Sequence, residues 1–169
     1  MSTPILAIVG FSNSGKTTLM EKLIAGLTAK GLQIASIKHS HHQPEMDTKG
    51  KDSWRHKQAG AVGSLLVGPE KILMVKDVQT VLRPQQMANA YFPSADLVLV
   101  EGYASMPCPK IEVLRENRCQ TLRCDVSELL AVATDMHDLN LSMPQLDLND
   151  TAQIVDFILA WMSEEKSNG

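Results

Sequence analysis

The stretch Ile5-Leu-Ala-Ile-Val9, followed by Gly10-Phe-Ser-Asn-Ser-Gly15-Lys16-Thr17, decides the fold. Its first five residues are continuously apolar, which is typical of a strand buried on both faces of a parallel sheet. The next eight match the pattern G-x-x-x-x-G-K-[ST], in which backbone N–H groups wrap around a polyphosphate. Leucines at helical spacing then predict a helix over residues 16–30. Strand, loop and helix in this order predict a P-loop.

Each part of the predicted loop is expected to contact a particular group of a bound nucleotide or its metal ion. Lys16 is expected to reach the β- and γ-phosphates, Thr17 to ligate Mg²⁺ through its hydroxyl, and the helix N-terminus to add its dipole. For Thr18, an α-phosphate contact and an ordinary helix position are equally good readings. The predicted nucleotide-binding residues are Gly10, Ser12, Asn13, Ser14, Gly15, Lys16, Thr17 and Thr18.

The metal also needs an acidic group at the end of a neighbouring buried strand. Glu101 directly follows the apolar run 97–100 and is the predicted partner of Thr17 in the metal site. Asp96, at the start of the same run, is the alternative, although that position suits a cap or turn better.

Strands alternate with helices along the whole chain, which indicates an α/β P-loop NTPase-type layered fold with a mostly parallel central sheet flanked by helices. Segment 110–115 alternates apolar and polar residues, so we expect an exposed or edge strand there. Segment 72–75 either extends the preceding strand or forms a hairpin with it. Further strands are predicted at 32–37, 62–67, 97–100 and 129–133, and further helices at 53–59, 80–91 and 151–162, the last capped by Asp150.

Composition limits the classes of protein to consider. With 169 residues and 44% apolar content, we expect one domain spanning 1–169. The net charge of -3 argues against a general nucleic-acid surface. We find neither an apolar run long enough to span a membrane nor a leader pattern, so we expect no membrane association and a cytoplasmic location. The three cysteines match no zinc pattern and are expected to be reduced.

The loop over residues 38–51 is rich in titratable groups and follows a strand whose carboxyl end should lie beside the P-loop. His39, His41 and His42 could converge on a transition metal. Asp47 could orient or deprotonate an attacking water, or hold the water shell of the metal. A solvated polar connection is the third reading, and all three stay open.

Several segments together resemble the family of molybdopterin-guanine dinucleotide biosynthesis protein B (MobB). They are Ile37-Lys-His-Ser-His-His42 with Asp47, Gly50-Lys-Asp-Ser53, Gln58-Ala-Gly-Ala61, Leu99-Val-Glu-Gly102 and Val132-Ala-Thr-Asp135. The resemblance covers nearly the whole chain.

The resemblance implies GTP as the nucleotide, Mg²⁺ as the metal, slow hydrolysis and a homodimer. It further implies an accessory role toward a partner, MobA, that attaches GMP to molybdopterin, with possible direct binding of molybdopterin. Lys16 and Asp47 become the candidate catalytic residues. Thr134-Asp135 stands where GTPases carry an Asn/Thr-Lys-x-Asp element for guanine, but the lysine and spacing are missing, and a loop-start cap is an equal reading of Asp135.

Two other functions use the same loop. A small-molecule kinase would need lid arginines, and Arg83, Arg115, Arg118 and Arg123 are available. A metal-delivery GTPase would use the histidines of loop 38–51. No arginine is evidently aimed at the γ-phosphate from sequence alone, so we expect at most a weak Mg²⁺-dependent GTPase.

Overall fold

The computed structural model describes residues 2–40, 42, 48–118, 120–137 and 139–168. Its strands are β1 (Ile5–Val9), β2 (Ile34–Lys38), β3 (Gly63–Val67), β4 (Ile72–Lys76), β5 (Leu97–Glu101), β6 (Lys110–Leu114), β7 (Leu129–Thr134) and β8 (Gln145–Asp147). Its helices are α1 (Lys16–Ala29), α2 (Asp52–Gln58), α3 (Pro84–Tyr91) and α4 (Thr151–Asn168), and a 3₁₀ turn covers Val126–Glu128.

These elements group into two compact units. One contains residues 1–39 and 83–169, and the other contains residues 40–82. This division into compact units does not test whether residues 1–169 form a single domain, so that expectation stays a prediction.

Six strands of the first unit form one sheet in the order β2-β5-β1-β6-β7-β8, and all neighbouring strands run parallel. The predicted α/β fold with a parallel central sheet is therefore confirmed. All five residues of β1 are buried, as their continuous apolar character predicts. Because the strands are parallel, the residues that follow β1, β5, β6 and β7 all lie at one edge of the sheet.

Helices cover both faces of this sheet. On one face, Leu23 of α1 and Ile158 of α4 belong to a single apolar cluster and are fully buried. On the other face, Ala88 of α3 packs into a second cluster. Helix α4 begins after Asp150, whose Oδ1 accepts a hydrogen bond of 3.0 Å from the backbone N–H of Gln153, as expected of a helix cap. It continues beyond the predicted end at residue 162.

The expectation for segment 110–115 is wrong. Strand β6 is neither exposed nor at an edge, because it lies between β1 and β7 and all five of its residues are buried. Its polar residues are buried with partners. The ammonium of Lys110 donates to Glu128, and the carboxylate of Glu112 accepts two backbone N–H groups. A paired charge can be buried, so alternation of polar and apolar residues did not mean exposure here.

The second unit contains α2 and an antiparallel hairpin of β3 and β4, in which Leu65 faces Met74 across the strands. The hairpin alternative for segment 72–75 is thus the observed one. Leucine, valine, isoleucine and methionine side chains are exposed on both strands, at Leu65, Leu66, Val67, Ile72, Leu73 and Met74. No helix in the described part of the chain has the length and apolar character needed to cross a membrane.

Candidate nucleotide site

The loop between β1 and α1 has the backbone of a phosphate cradle. Gly10 has a φ of +139° and Gly15 a φ of +93°, both outside the range that side chains tolerate easily. A Cβ at Gly10 would lie 2.7 Å from the carbonyl oxygen of Val113 in β6. Only glycine therefore lets the chain turn this close to the neighbouring strand.

Two polar groups lie inside this loop. Lys16 Nζ donates a hydrogen bond of 2.6 Å to the carbonyl oxygen of Phe11. Burial lowers the pKa of Lys16; the negative charge of Glu101 opposes this, while Arg123 and Lys38 act in the same direction as burial. Ser14 is 1% exposed, and its hydroxyl has no hydrogen-bond partner among the described residues. Such an orphaned buried hydroxyl suits a ligand that can bond to it.

Thr17 and Glu101 come together as the sequence predicts. Thr17 Oγ1 donates to Glu101 Oε1 at 3.0 Å, across 84 positions of sequence. The same carboxylate oxygen lies 3.2 Å from Lys38 Nζ, and the Glu101 side chain is 13% exposed. The alternative, Asp96, instead accepts the backbone N–H of Gln33 at 2.8 Å and so joins the segments that precede β5 and β2.

The histidine loop is only partly described. His41 and Asp47 lie outside the described residues. The ring of His39 packs against Tyr103, with centroids 4.3 Å apart and an interplanar angle of 39°. Serine 40 accepts a hydrogen bond of 3.1 Å from the backbone N–H of His42 through its Oγ. Within the described residues, no three His, Cys, Asp or Glu side chains are grouped to hold a metal ion.

Asp135 lies at the carboxyl end of β7, where a base-recognising carboxylate is expected. Its Oδ1 accepts a hydrogen bond of 3.0 Å from the backbone N–H of Glu116, and its Oδ2 lies 3.9 Å from Arg115 Nε. One oxygen therefore joins the start of the loop after β7 to the segment after β6, and the loop-start cap stays a prediction. An ionised carboxylate has room for further donors, so this bond leaves it able to accept more.

Two arginines lie beside the phosphate loop, and sequence reasoning placed them only in a possible lid. The guanidinium of Arg115 lies 3.5 Å from the position a Cβ on Gly15 would take. Arg123 Nη1 donates to the carbonyl oxygen of Gly10 at 3.5 Å, and its Cζ is 5.8 Å from the ring centroid of Phe11. No sequence signal reveals these contacts, because they depend on β6 lying next to β1.

The donors gathered here fit a polyphosphate with a divalent cation. The glycine cradle, the Lys16 ammonium and the two guanidinium groups suit phosphate oxygens. The Thr17 hydroxyl and the Glu101 carboxylate are oxygen ligands of the kind that Mg²⁺ prefers, and they lie close enough to share one cation or its water.

The parallel sheet and the P-loop after its first strand define the class: an α/β protein with the P-loop NTPase fold. The family model described as molybdopterin guanine dinucleotide synthesis protein B matches residues 5–135. The chain belongs to this family, and the resemblance drawn from its residues is confirmed.

Individual relatives agree. The chain is 40% identical over 160 residues to the molybdopterin-guanine dinucleotide biosynthesis adapter protein of Haemophilus influenzae, covering 94% of this chain and 89% of that protein. It is 36% identical to the Escherichia coli protein of the same name, covering 98% of this chain and 96% of that one. The crystal structure of Bacillus subtilis MobB superposes with a TM-score of 0.74 at 27% identity, over 93% of this chain and 96% of that one.

Proposed function

We propose that this chain is a GTP-binding adapter protein with slow GTPase activity in the synthesis of molybdopterin guanine dinucleotide. The observation that carries the proposal is the contact between Thr17 and Glu101 beside the phosphate cradle, in a chain of this family. The phosphate loop alone would fit any P-loop protein. The role in molybdopterin guanine dinucleotide synthesis is inferred from the family.

In this proposal each loop residue has a role toward the triphosphate. The backbone from Gly10 to Thr18 and the side chains of Ser12, Asn13 and Ser14 donate to phosphate oxygens. Lys16 neutralises negative charge on the β- and γ-phosphates. When bound to Thr17 and Glu101, Mg²⁺ supplies further neutralisation of the phosphates. Asp47 is proposed to orient the attacking water, and it lies outside the described residues.

The choice of guanine rests on the family, and Asp135 is the candidate residue for contacting the base. Its position at the end of β7, two strands from β1, is where the base of a nucleotide held at the P-loop would extend. We assign it the guanine contact on that basis.

The proposed partner is MobA, the guanylyl-transferring protein, with molybdopterin as a possible direct ligand, and the proposed location is the cytoplasm. A homodimer is also proposed from the family resemblance. The exposed apolar side chains of the β3–β4 hairpin are a surface that such a contact could cover.

The nucleotide site is tested by the affinities of purified variants for GTP and ATP in the presence of Mg²⁺. Lys16→Ala should weaken GTP binding by about a hundredfold, because it removes a charge-assisted contact to phosphate. The matched control is Lys22→Ala, an exposed lysine on the same helix, which should leave affinity unchanged. Tighter binding of ATP than of GTP would favour the kinase alternative instead.

The metal site is tested separately. Glu101→Gln should keep measurable GTP affinity and lower Mg²⁺-dependent hydrolysis by about tenfold or more, because the neutral amide is a poor cation ligand. Asp96→Asn, at the other end of β5, is the control and should hydrolyse GTP normally. Unchanged hydrolysis in Glu101→Gln would remove this carboxylate from the metal site.

The adapter role is tested by reconstitution. Adding this chain and GTP to MobA and molybdenum-loaded molybdopterin should increase the yield of guanylated cofactor, and the Lys16→Ala variant should not. The metal-delivery alternative predicts instead stoichiometric nickel or zinc in the isolated protein, lost in His41→Ala and His42→Ala.

A further inference from the structure

The segment that connects β6 to the 3₁₀ turn brings an arginine to the mouth of the phosphate loop. Arg123 lies close to Gly10 and Phe11, the first two residues of the loop, through the contact to the Gly10 carbonyl and the approach to the Phe11 ring. Backbone oxygen and ring face hold a guanidinium weakly and leave several of its N–H groups available. Arg123 can therefore donate to a further acceptor at this place.

A fully buried carboxylate fixes the backbone that carries this arginine. Glu112 in β6 is 0% exposed, and its Oε1 accepts a hydrogen bond of 2.6 Å from the backbone N–H of Arg123. Its Oε2 accepts the backbone N–H of Cys124 at 3.0 Å. Burying a carboxylate is costly unless it is well bonded, so these two bonds strongly favour one position of this segment.

Arg123 and Lys16 both contact Phe11 of the phosphate loop. Lys16, whose ammonium reaches the β- and γ-phosphates in such loops, bonds to the carbonyl of Phe11, the residue whose ring Arg123 faces. Burial lowers the pKa of Lys16, and the positive charge of Arg123 acts in the same direction, as it would for two cations at one loop. Two cations held at one residue of the loop suit the most highly charged end of a triphosphate.

We propose that Arg123 contacts the terminal phosphate of the bound nucleoside triphosphate, and that Glu112 is the positioning residue that holds Arg123 there. This inference rests on the proposed nucleotide-binding function and adds to it an arginine supplied by the chain itself. The planar guanidinium can donate two parallel hydrogen bonds to phosphate oxygens. Because GDP lacks that phosphate, Arg123 distinguishes GTP from GDP.

The test is the ratio of the dissociation constants for GDP and GTP, measured by calorimetry with Mg²⁺ on the full chain. Arg123→Ala should lower the preference for GTP by about tenfold, with GDP affinity nearly unchanged. Arg123→Lys should restore part of it, since charge returns without the paired donors. Arg118→Ala, an exposed arginine of the same segment, is the matched control and should keep the wild-type ratio.

The positioning role of Glu112 has its own readout. Glu112→Gln should also lower the GTP preference. The amide oxygen of glutamine can replace one carboxylate oxygen as acceptor, but its NH₂ group is a donor and cannot accept the second N–H. The double variant with Arg123→Ala should lose no more preference than Arg123→Ala alone, since both changes act through one guanidinium. Additive losses would remove Glu112 from this role.

The outcomes separate the two proposals. A wild-type ratio retained in Arg123→Ala, or an equal loss in Arg118→Ala, overturns the role of Arg123 and leaves the GTP site standing. A wild-type protein that binds neither GTP nor GDP overturns the proposed nucleotide function and this inference with it.

Discussion

Replacing Gly10 by alanine should destabilise the protein through two effects that the structure separates. A φ of +139° is rarely adopted by L-residues, and such backbone strain costs about 1–3 kcal/mol. The added Cβ would also lie 2.7 Å from the backbone oxygen of Val113, so β1 and β6 would have to shift apart, which costs about 1–3 kcal/mol. Together the two effects should lower the free energy of unfolding by about 4 kcal/mol.

Gly31→Ala provides the matched control. Gly31 has a φ of +88°, and among the described residues other than its chain neighbours no atom lies within 4 Å of the position its Cβ would take. This variant should therefore show only the backbone effect, about 1–2 kcal/mol.

Urea unfolding followed by circular dichroism measures both variants in parallel. The free energy of unfolding of Gly10→Ala should fall below that of Gly31→Ala by about 2 kcal/mol or more. Equal losses in the two variants would refute the claim that the loop passes too close to β6 for any side chain.

Three further predictions concern the interior and the helix ends. Glu128→Ala leaves the ammonium of Lys110 buried without its partner, so unfolding free energy should fall by about 3 kcal/mol in urea titrations; a change no larger than that of an exposed glutamate contradicts this. Burial, aided by the charge of Glu112, raises the pKa of Cys124 to about 11. Iodoacetamide at pH 8 should thus alkylate the native thiol far more slowly than the unfolded one, because the thiolate is scarce below that pKa, and equal rates would refute it. Asp150→Ala removes the cap of α4 and should cost about 1 kcal/mol, while Asp150→Asn should cost less.

The elements that depend on local sequence could be predicted. Strand β1, the loop and α1 are encoded by a continuous apolar run, two glycines and leucines at helical spacing, all within residues 5–29. The meeting of Thr17 with Glu101 could also be predicted, because the carboxyl ends of parallel strands share one edge. The second prediction assumed that the strand before Glu101 is a neighbour of β1, and β5 does pair with β1.

The parts that could not be predicted depend on the strand order. Lys110 and Glu112 made β6 look exposed, since their buried partners lie in segments that the pattern of β6 does not reveal. The approach of Arg115 and Arg123 to the loop requires β6 to pair with β1, and local periodicity carries no information on pairing. The short strand β8 was missed because three residues are too few for a period.

The segment after β6 is tied down at both ends by carboxylates. Near its start, the N–H of Glu116 bonds to Asp135 in the loop after β7, and near its end the N–H of Arg123 bonds to Glu112. Lengthening the chain between these two bonds should disturb the residues outside them little, because closing a longer loop costs little extra entropy. We therefore expect inserted residues between the two anchors to leave Arg115 and Arg123 in their places beside the phosphate loop.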